Sequence, residues 1–284
     1  MGNFSRPTCL DDALRNMENG SWRILAGGTD FYPAQGDRPI TENLLDLTAI
    51  PELRGISQLD DGWRFGGLTT WSDVIKASLP LAFDGLKAAA REVGSIQIQN
   101  SGTIAGNICN ASPAADGMPP LLSLSAEVEL VSPSGTRRMP LDDFVTGVRS
   151  TSCRPDELVR AVHIPAVSTG SRSAFLKLGA RRYLVISIAM AAVLIDSNDQ
   201  GKITRARIAV GSCSPVAQRL IGLEQRLLGE SAASGLSELV TGGDISVLNP
   251  INDVRASASY RLSAAEELVR RALEEAVRPG VEAS

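Results

Sequence analysis

The sequence predicts an α/β region followed by an α+β domain. Three observations carry this. The first fifty residues alternate strand, helix and strand, with a glycine loop after a strand. The middle of the chain mixes short strands with alanine-rich helical stretches. Beyond residue 171 the composition shifts to long apolar strand-like runs and then to helices.

In order along the chain, Asp11 to Asn19 reads as a helix, because Leu10, Leu14 and Met17 share a face and Gly20 closes it. Trp22-Arg23-Ile24-Leu25 is a strand that runs into Ala26-Gly27-Gly28-Thr29-Asp30, and Asn43 to Leu47 is a second short strand. That places the loop at a strand's C-terminal end, where open α/β sheets bind ligands. Ile50-Pro51-Glu52-Leu53 marks a break. Trp63 to Gly66 is a strand, and Thr70 caps a helix with Asp73 three residues on. Gly85 to Val93 and Pro120 to Leu124 are helices. Glu127 to Val131 alternates like a strand, and Ser132-Pro133-Ser134-Gly135 makes a hairpin turn. Leu158 to Pro165 is a further strand. Ser168-Thr169-Gly170-Ser171 is a linker. Ala174 to Leu178, Ile186 to Ile195 and Ile203 to Val210 form antiparallel strands, with Asn198-Asp199-Gln200-Gly201 as the turn between the last two. Gln218 to Leu228, Ser231 to Val240 and Ala258 to Val277 are helical. The domains are therefore 1–167, with subdomains of about 1–54 and 55–167, and 168–284.

Two segments carry the functional information: Leu25 to Asp30, and Gly102-Thr103-Ile104-Ala105-Gly106-Asn107 followed by Asn110 to Asp116. Glycine lets the main chain approach a ligand and adopt positive φ, so that successive N–H groups converge on an anion. Two such loops predict a two-sided cradle for a diphosphate, and so a dinucleotide cofactor. Either loop alone reads equally as an ordinary tight turn. No G-x-G-x-x-G fingerprint or G-x-x-x-x-G-K-[ST] loop occurs, which disfavours Rossmann and P-loop nucleotide sites.

Several classes are disfavoured. A net charge of −4 leaves no basic footprint for nucleic acid. No apolar run has the length of a membrane span, and the N-terminus lacks an apolar signal core, so a cytoplasmic location is expected. Cys9, Cys109, Cys153 and Cys213 are scattered and read as buried inert thiols, with no metal site in this chain. The single histidine, His163, sits in an alternating strand and has no triad pattern around it, so no catalytic residue is assigned. Redox work would fall to a cofactor.

The chain resembles the FAD-binding medium subunit of the molybdenum hydroxylases, the xanthine dehydrogenase and carbon monoxide dehydrogenase family. The resemblance rests on Ala26 to Asp30, Ile50 to Leu53, Gln97-Ile98-Gln99-Asn100 leading into Thr103 to Asn107, and Ser112-Pro113-Ala114-Ala115-Asp116. It extends through Lys177-Leu178-Gly179 and Asp253-Val254-Arg255-Ala256-Ser257 with Tyr260-Arg261. It implies an FAD domain of two α/β subdomains, then a C-terminal domain of antiparallel strands and helices. It also implies partners: a small subunit with [2Fe-2S] clusters and a large molybdopterin subunit, assembled as a dimer of heterotrimers. The substrate class it implies is heteroaromatic or aldehyde.

By position, the resemblance assigns Leu25 and Phe31 to cofactor binding, and the backbone of Ala26, Gly27, Gly28, Thr29 and Asp30, with that of Thr103, Ile104, Ala105, Gly106 and Asn107, to the FAD diphosphate. Ser112 and Asp116 would lie near the ribityl chain and flavin, Lys177 and Tyr183 near the isoalloxazine, and Val159 against a ring. Lys177 also reads as an exposed strand lysine, and Asp116 as a turn or cap residue. Ala105 stands where many relatives carry glycine, Arg181-Arg182-Tyr183 is more basic than in some, and no cysteine-rich insertion is present. A self-sufficient flavin oxidase or reductase on a related scaffold is the alternative.

Overall fold

The computed structural model describes residues 2–181, 184–233 and 235–278. These fall into two compact units. One comprises Met1–Ala77, Gly94–Ser112 and Ser125–Ala166. The other comprises Ser78–Val93, Pro113–Leu124 and Val167–Ser284.

The first unit opens with a three-stranded parallel sheet in which Leu44–Asp46 lies between Phe4–Ser5 and Arg23–Leu25. The helix Leu10–Glu18 crosses between the outer strands, burying Leu10 and Ala13. Parallel strands need such a crossover, and the apolar stripe of the helix covers one sheet face. A five-stranded antiparallel sheet follows in the order Ile56–Leu59, Gly62–Gly66, Leu158–Pro165, Glu127–Ser132 and Gly135–Pro140. Val131 and Leu158 of this sheet join Leu45, Leu47, Ile50 and Leu53 in one apolar core. Thr70 and Asp73 form a reciprocal capping box on Trp71–Lys76, as their spacing predicts. The segment after Gly94 departs from expectation: it holds two short helices, Ile96–Ser101 and Ile104–Asn110, so the second glycine segment is helical rather than an open loop.

His163 lies in the middle of the large sheet. Its Nε2 meets Glu129, which also accepts from Arg160 Nη1 at 3.0 Å. It is a satisfied sheet histidine.

In the second unit a four-stranded antiparallel sheet runs Arg172–Leu178, Ala189–Ser197, Ile203–Gly211 and Gln218–Arg219. Every residue from Ala189 to Asp196 is buried. Both faces of this strand are covered, which explains its continuous apolar run. On one face Ala191 and Val193 meet Val269, Ala272 and Leu273 of the helix Ala258–Val277. On the other, Phe175, Met190 and Ala192 meet Ala89 of the helix Asp84–Glu92. Gly85 permits this approach, since a Cβ there would lie 3.0 Å from the Ala174 carbonyl oxygen. The predicted helix over 231–240 is absent: its described part holds only a short 3-10 turn, Leu236–Leu239. The helix predicted from Gln218 begins at Ile221, because Gln218–Arg219 adds the fourth strand. No helix of the described residues is long and apolar enough to cross a membrane.

Of the four cysteines, Cys213 is buried as expected, Cys9 and Cys153 are half-buried, and Cys109 is exposed. Burial pushes the Cys213 thiol up to about 11.

Candidate functional site

Strand Arg23–Leu25 delivers the chain into its glycine loop with Leu25 buried as the anchor. Gly28 adopts φ +68°, a left-handed conformation that a side chain strains. Among the described residues, no acceptor is found for the N–H groups of Gly27, Gly28, Thr29 or Asp30. Successive main-chain donors left open in this way are able to converge on an anion. The loop ends in the helix Phe31–Gln35, where the rings of Phe31 and Tyr32 meet edge to face at 5.2 Å.

Gly27 has a second task. A Cβ on it would overlap the carbonyl oxygen of Ser101. The loop therefore rests directly on the main chain that leads into Gly102-Thr103, and the two glycine segments are neighbours.

The second segment does not present its amides. The N–H of Ile104 bonds Thr69 O at 3.0 Å, that of Ala105 bonds Gly67 O at 3.0 Å, and that of Asn107 bonds Thr103 O at 3.0 Å. Gly106 N–H is taken by Thr103 Oγ1 at 3.0 Å, the N-cap of Ile104–Asn110. The expectation that backbone N–H groups of Thr103 to Asn107 converge on an anion is corrected for Ile104 to Asn107. Their donors are spent on folding the segment into a helix against Gly67 and Thr69. What remains is a side chain: Asn107 Oδ1 is buried and, among the described residues, receives no hydrogen bond. A buried acceptor in that state is a place for a ligand hydroxyl.

The remaining candidates separate. Ser112 is half-buried at the end of the same unit. Val159 is buried opposite Leu130 in the large sheet and offers only apolar contact. Asp116 and Lys177 lie in the second unit and are joined there. Lys177 Nζ donates to Asp116 Oδ2 at 2.7 Å and to Glu92 O at 3.2 Å, while Ser187 Oγ donates to Asp116 Oδ1 at 2.7 Å. Lys177 is thus neither solvent-exposed nor unpaired, and Asp116 is no surface turn residue. Burial pushes the Asp116 carboxyl above its ordinary range, an effect partly offset by the Lys177 ammonium and the Ser187 hydroxyl. Tyr183 lies outside the described residues.

Sequence reasoning missed Arg149. It sits at the tip of the ribbon formed by Val145–Gly147 and Ser150–Thr151. Its Nη1 reaches Asp30 Oδ2 at 3.2 Å, Asn110 O at 3.2 Å and Asn110 Oδ1. Nothing local in the sequence signals this, because Asp30 lies 119 residues away.

Comparison with known proteins decides the family. Residues 1–167 match the model of the FAD binding domain in molybdopterin dehydrogenase, and residues 174–276 match the CO dehydrogenase flavoprotein C-terminal domain. The chain belongs to the FAD-binding medium-subunit family of the molybdopterin dehydrogenases. It is 31% identical over 269 residues to the carbon monoxide dehydrogenase medium chain of Hydrogenophaga pseudoflava, covering 92% of this chain and 91% of that one. It is 32% identical to the 6-hydroxypseudooxynicotine dehydrogenase complex subunit alpha of Paenarthrobacter nicotinovorans, covering 94% and 92%. A solved carbon monoxide dehydrogenase from Hydrogenophaga pseudoflava superposes with a TM-score of 0.89 at 28% identity, covering 97% of this chain and 96% of that one. The α/β plus α+β reading and the motif resemblance both hold. Members of this medium-subunit family are oxidoreductase flavoproteins that bind FAD. The residues present suit that cofactor: a row of unclaimed amides, a left-handed glycine and an orphan buried acceptor lie within one unit.

Proposed function

We propose that this chain is the electron-transfer flavoprotein subunit of a molybdenum hydroxylase complex. Its FAD takes electrons from [2Fe-2S] clusters on a small partner subunit and passes them to a final acceptor. A large molybdopterin subunit hydroxylates a heteroaromatic or aldehyde substrate. The assembly is a dimer of heterotrimers in the cytoplasm, and 1–167 is the FAD-binding domain with 168–284 as its C-terminal companion. Flavin supplies the junction between one-electron centres and a two-electron acceptor.

The observation that supports this most is the row of free N–H groups from Gly27 to Asp30. They would hold the diphosphate. Asn107 Oδ1 would accept from a cofactor hydroxyl. Leu25 and Phe31 would fix the two ends of the loop, Thr29 and Ala26 would leave room for main-chain approach, and Thr103 to Gly106 would supply a packed wall. Ser112 and Val159 would line the adjoining surface. Asp116, Lys177 and Tyr183 would act towards the flavin. The Asp116–Lys177 pair is close to electrically neutral and held by Ser187, so Lys177 would present a fixed, partly cancelled charge.

The test mixes the purified chain with candidate heteroaromatic and aldehyde substrates and a dye acceptor, with and without iron–sulfur and molybdopterin subunits. Turnover is expected only with both partners. Denaturation and filtration should release one intact FAD per chain. Robust turnover by the isolated chain would replace this reading with the self-sufficient flavoenzyme.

A further inference from the structure

We propose that Arg149 is the cationic arm of the diphosphate site, a fork held at the rim of the Gly27–Asp30 loop and open on its outer edge. This rests on the reading of that loop as the FAD cradle.

The backbone is the first observation. Arg149 is not glycine, yet it adopts φ +57°. Left-handed geometry is costly for a side chain with Cβ, and such strain persists where the surroundings over-determine it. Here the Arg149 N–H bonds Ala111 O at 2.9 Å, which pins the ribbon tip to the end of the helix Ile104–Asn110. Ala111 itself is left-handed at φ +46°. Two strained residues meet at this one contact.

The second observation is how the guanidinium is used. All its acceptors, Asp30 Oδ2, Asn110 O and Asn110 Oδ1, are served by Nη1. Among the described residues Nη2 and Nε have none, and the side chain is 53% exposed. A guanidinium has five donors in a planar fork suited to bidentate recognition of phosphate oxygens. One prong orients Arg149, and the outer edge is left for a ligand.

The third observation is electrostatic. Asp30 is half-exposed at the end of the amide row, where its carboxylate repels an incoming diphosphate. Arg149 cancels that charge from 3.2 Å away. A neutral loop of free amides then faces the anion, with a cationic fork beside it. Without Arg149 the loop would carry a net negative charge.

The experiment uses the full-length chain stripped of flavin. FAD affinity is measured by flavin fluorescence quenching across a salt series, and apoprotein melting is measured in parallel. Arg149→Met should weaken FAD at least about tenfold and flatten the salt dependence of binding, with the apoprotein melting within a few degrees of the parent. Arg149→Lys should fall between the two, keeping the charge and losing the fork. Unchanged FAD affinity in Arg149→Met would overturn the proposal. So would a weakened affinity that keeps the full salt dependence and tracks a lowered melting temperature, since that is a structural staple. Gly28→Val separates the two readings. If it binds FAD normally, the cradle assignment fails. If it loses FAD while Arg149→Met does not, the cradle stands and Arg149 is released from it.

Discussion

In the segment from Gly27 to Asp30 the main-chain N–H groups find no acceptor among the described residues, whereas from Ile104 to Asn107 each has one. Both segments join glycine to small and hydroxyl residues, and both lie in the same compact unit. They diverge because of what precedes them. Leu25 ends an edge strand, and the amides from Gly27 to Asp30 that follow it have no acceptor among the described residues. Thr103 caps a helix whose first turn is clamped by the carbonyls of Gly67 and Thr69. Glycine composition reports that a main chain comes close to something. In the first segment the near neighbours leave the amides open to a ligand; in the second they consume them.

If that division is right, the largest effect belongs to the residue that joins the two segments. Gly27→Ala puts a Cβ onto the Ser101 carbonyl, backbone against backbone, with no flexible side chain to yield. Overpacking of this kind costs about 3 kcal/mol, or roughly 10 °C in melting temperature for a chain this size. Flavin content should fall with it. A melt within about 2 °C of the parent would show that the segments can part freely.

Next come Gly28→Val and Gly106→Val, which distinguish the two roles. Gly28 is left-handed, and a Cβ would approach the exposed Tyr32 ring at 2.7 Å. The strain is about 1–3 kcal/mol, and the branched side chain stands over the free amides. FAD binding should be largely lost while the C-terminal domain stays folded. At Gly106 a Cβ would press on Thr103 Oγ1 at 2.9 Å, disturbing the cap rather than a ligand face. That costs about 1–2 kcal/mol, and FAD loss should follow stability loss. Flavin stoichiometry plotted against melting temperature reads this directly. Equal flavin loss at equal stability in both variants would make the second segment a ligand contact too.

The sequence made much of this legible, for identifiable reasons. The Thr70–Asp73 capping box, the helix Ala258–Val277 and the three long strands of the second unit depend on local spacing, and they stand close to where spacing places them, the middle strand starting at Ala189 rather than Ile186. The strand Gly62–Gly66 was readable, but its neighbour Ile56–Leu59 was not, because its residues are mostly exposed and carry no alternation. The helix Ile104–Asn110 was hidden by Gly106, which lowers helix propensity and mimics a loop. Lys177 and Asp116 were each readable as candidates, but their mutual ion pair was not, since it closes over 61 residues. Arg149 was invisible for the same reason. Side-chain partnerships set by long-range topology leave no periodic trace in the chain.

The smallest expected effect isolates the cap from the cradle. Thr103→Ala removes the acceptor for Gly106 N–H and leaves the first loop's amides as they are. An N-cap of this type is worth about 1 kcal/mol, or roughly 3 °C here. Thr103→Ser keeps the oxygen and should restore most of that loss. FAD affinity in both should stay within about 0.5 kcal/mol of the parent, roughly a factor of two. Thr103 would then be a residue that shapes the wall of the site without touching the cofactor. A tenfold loss of affinity in Thr103→Ala, with melting lowered only by the cap's worth, would place its side chain against the cofactor: the hydroxyl if Thr103→Ser recovers the affinity, the methyl if it does not. The two glycine segments would then share the ligand after all.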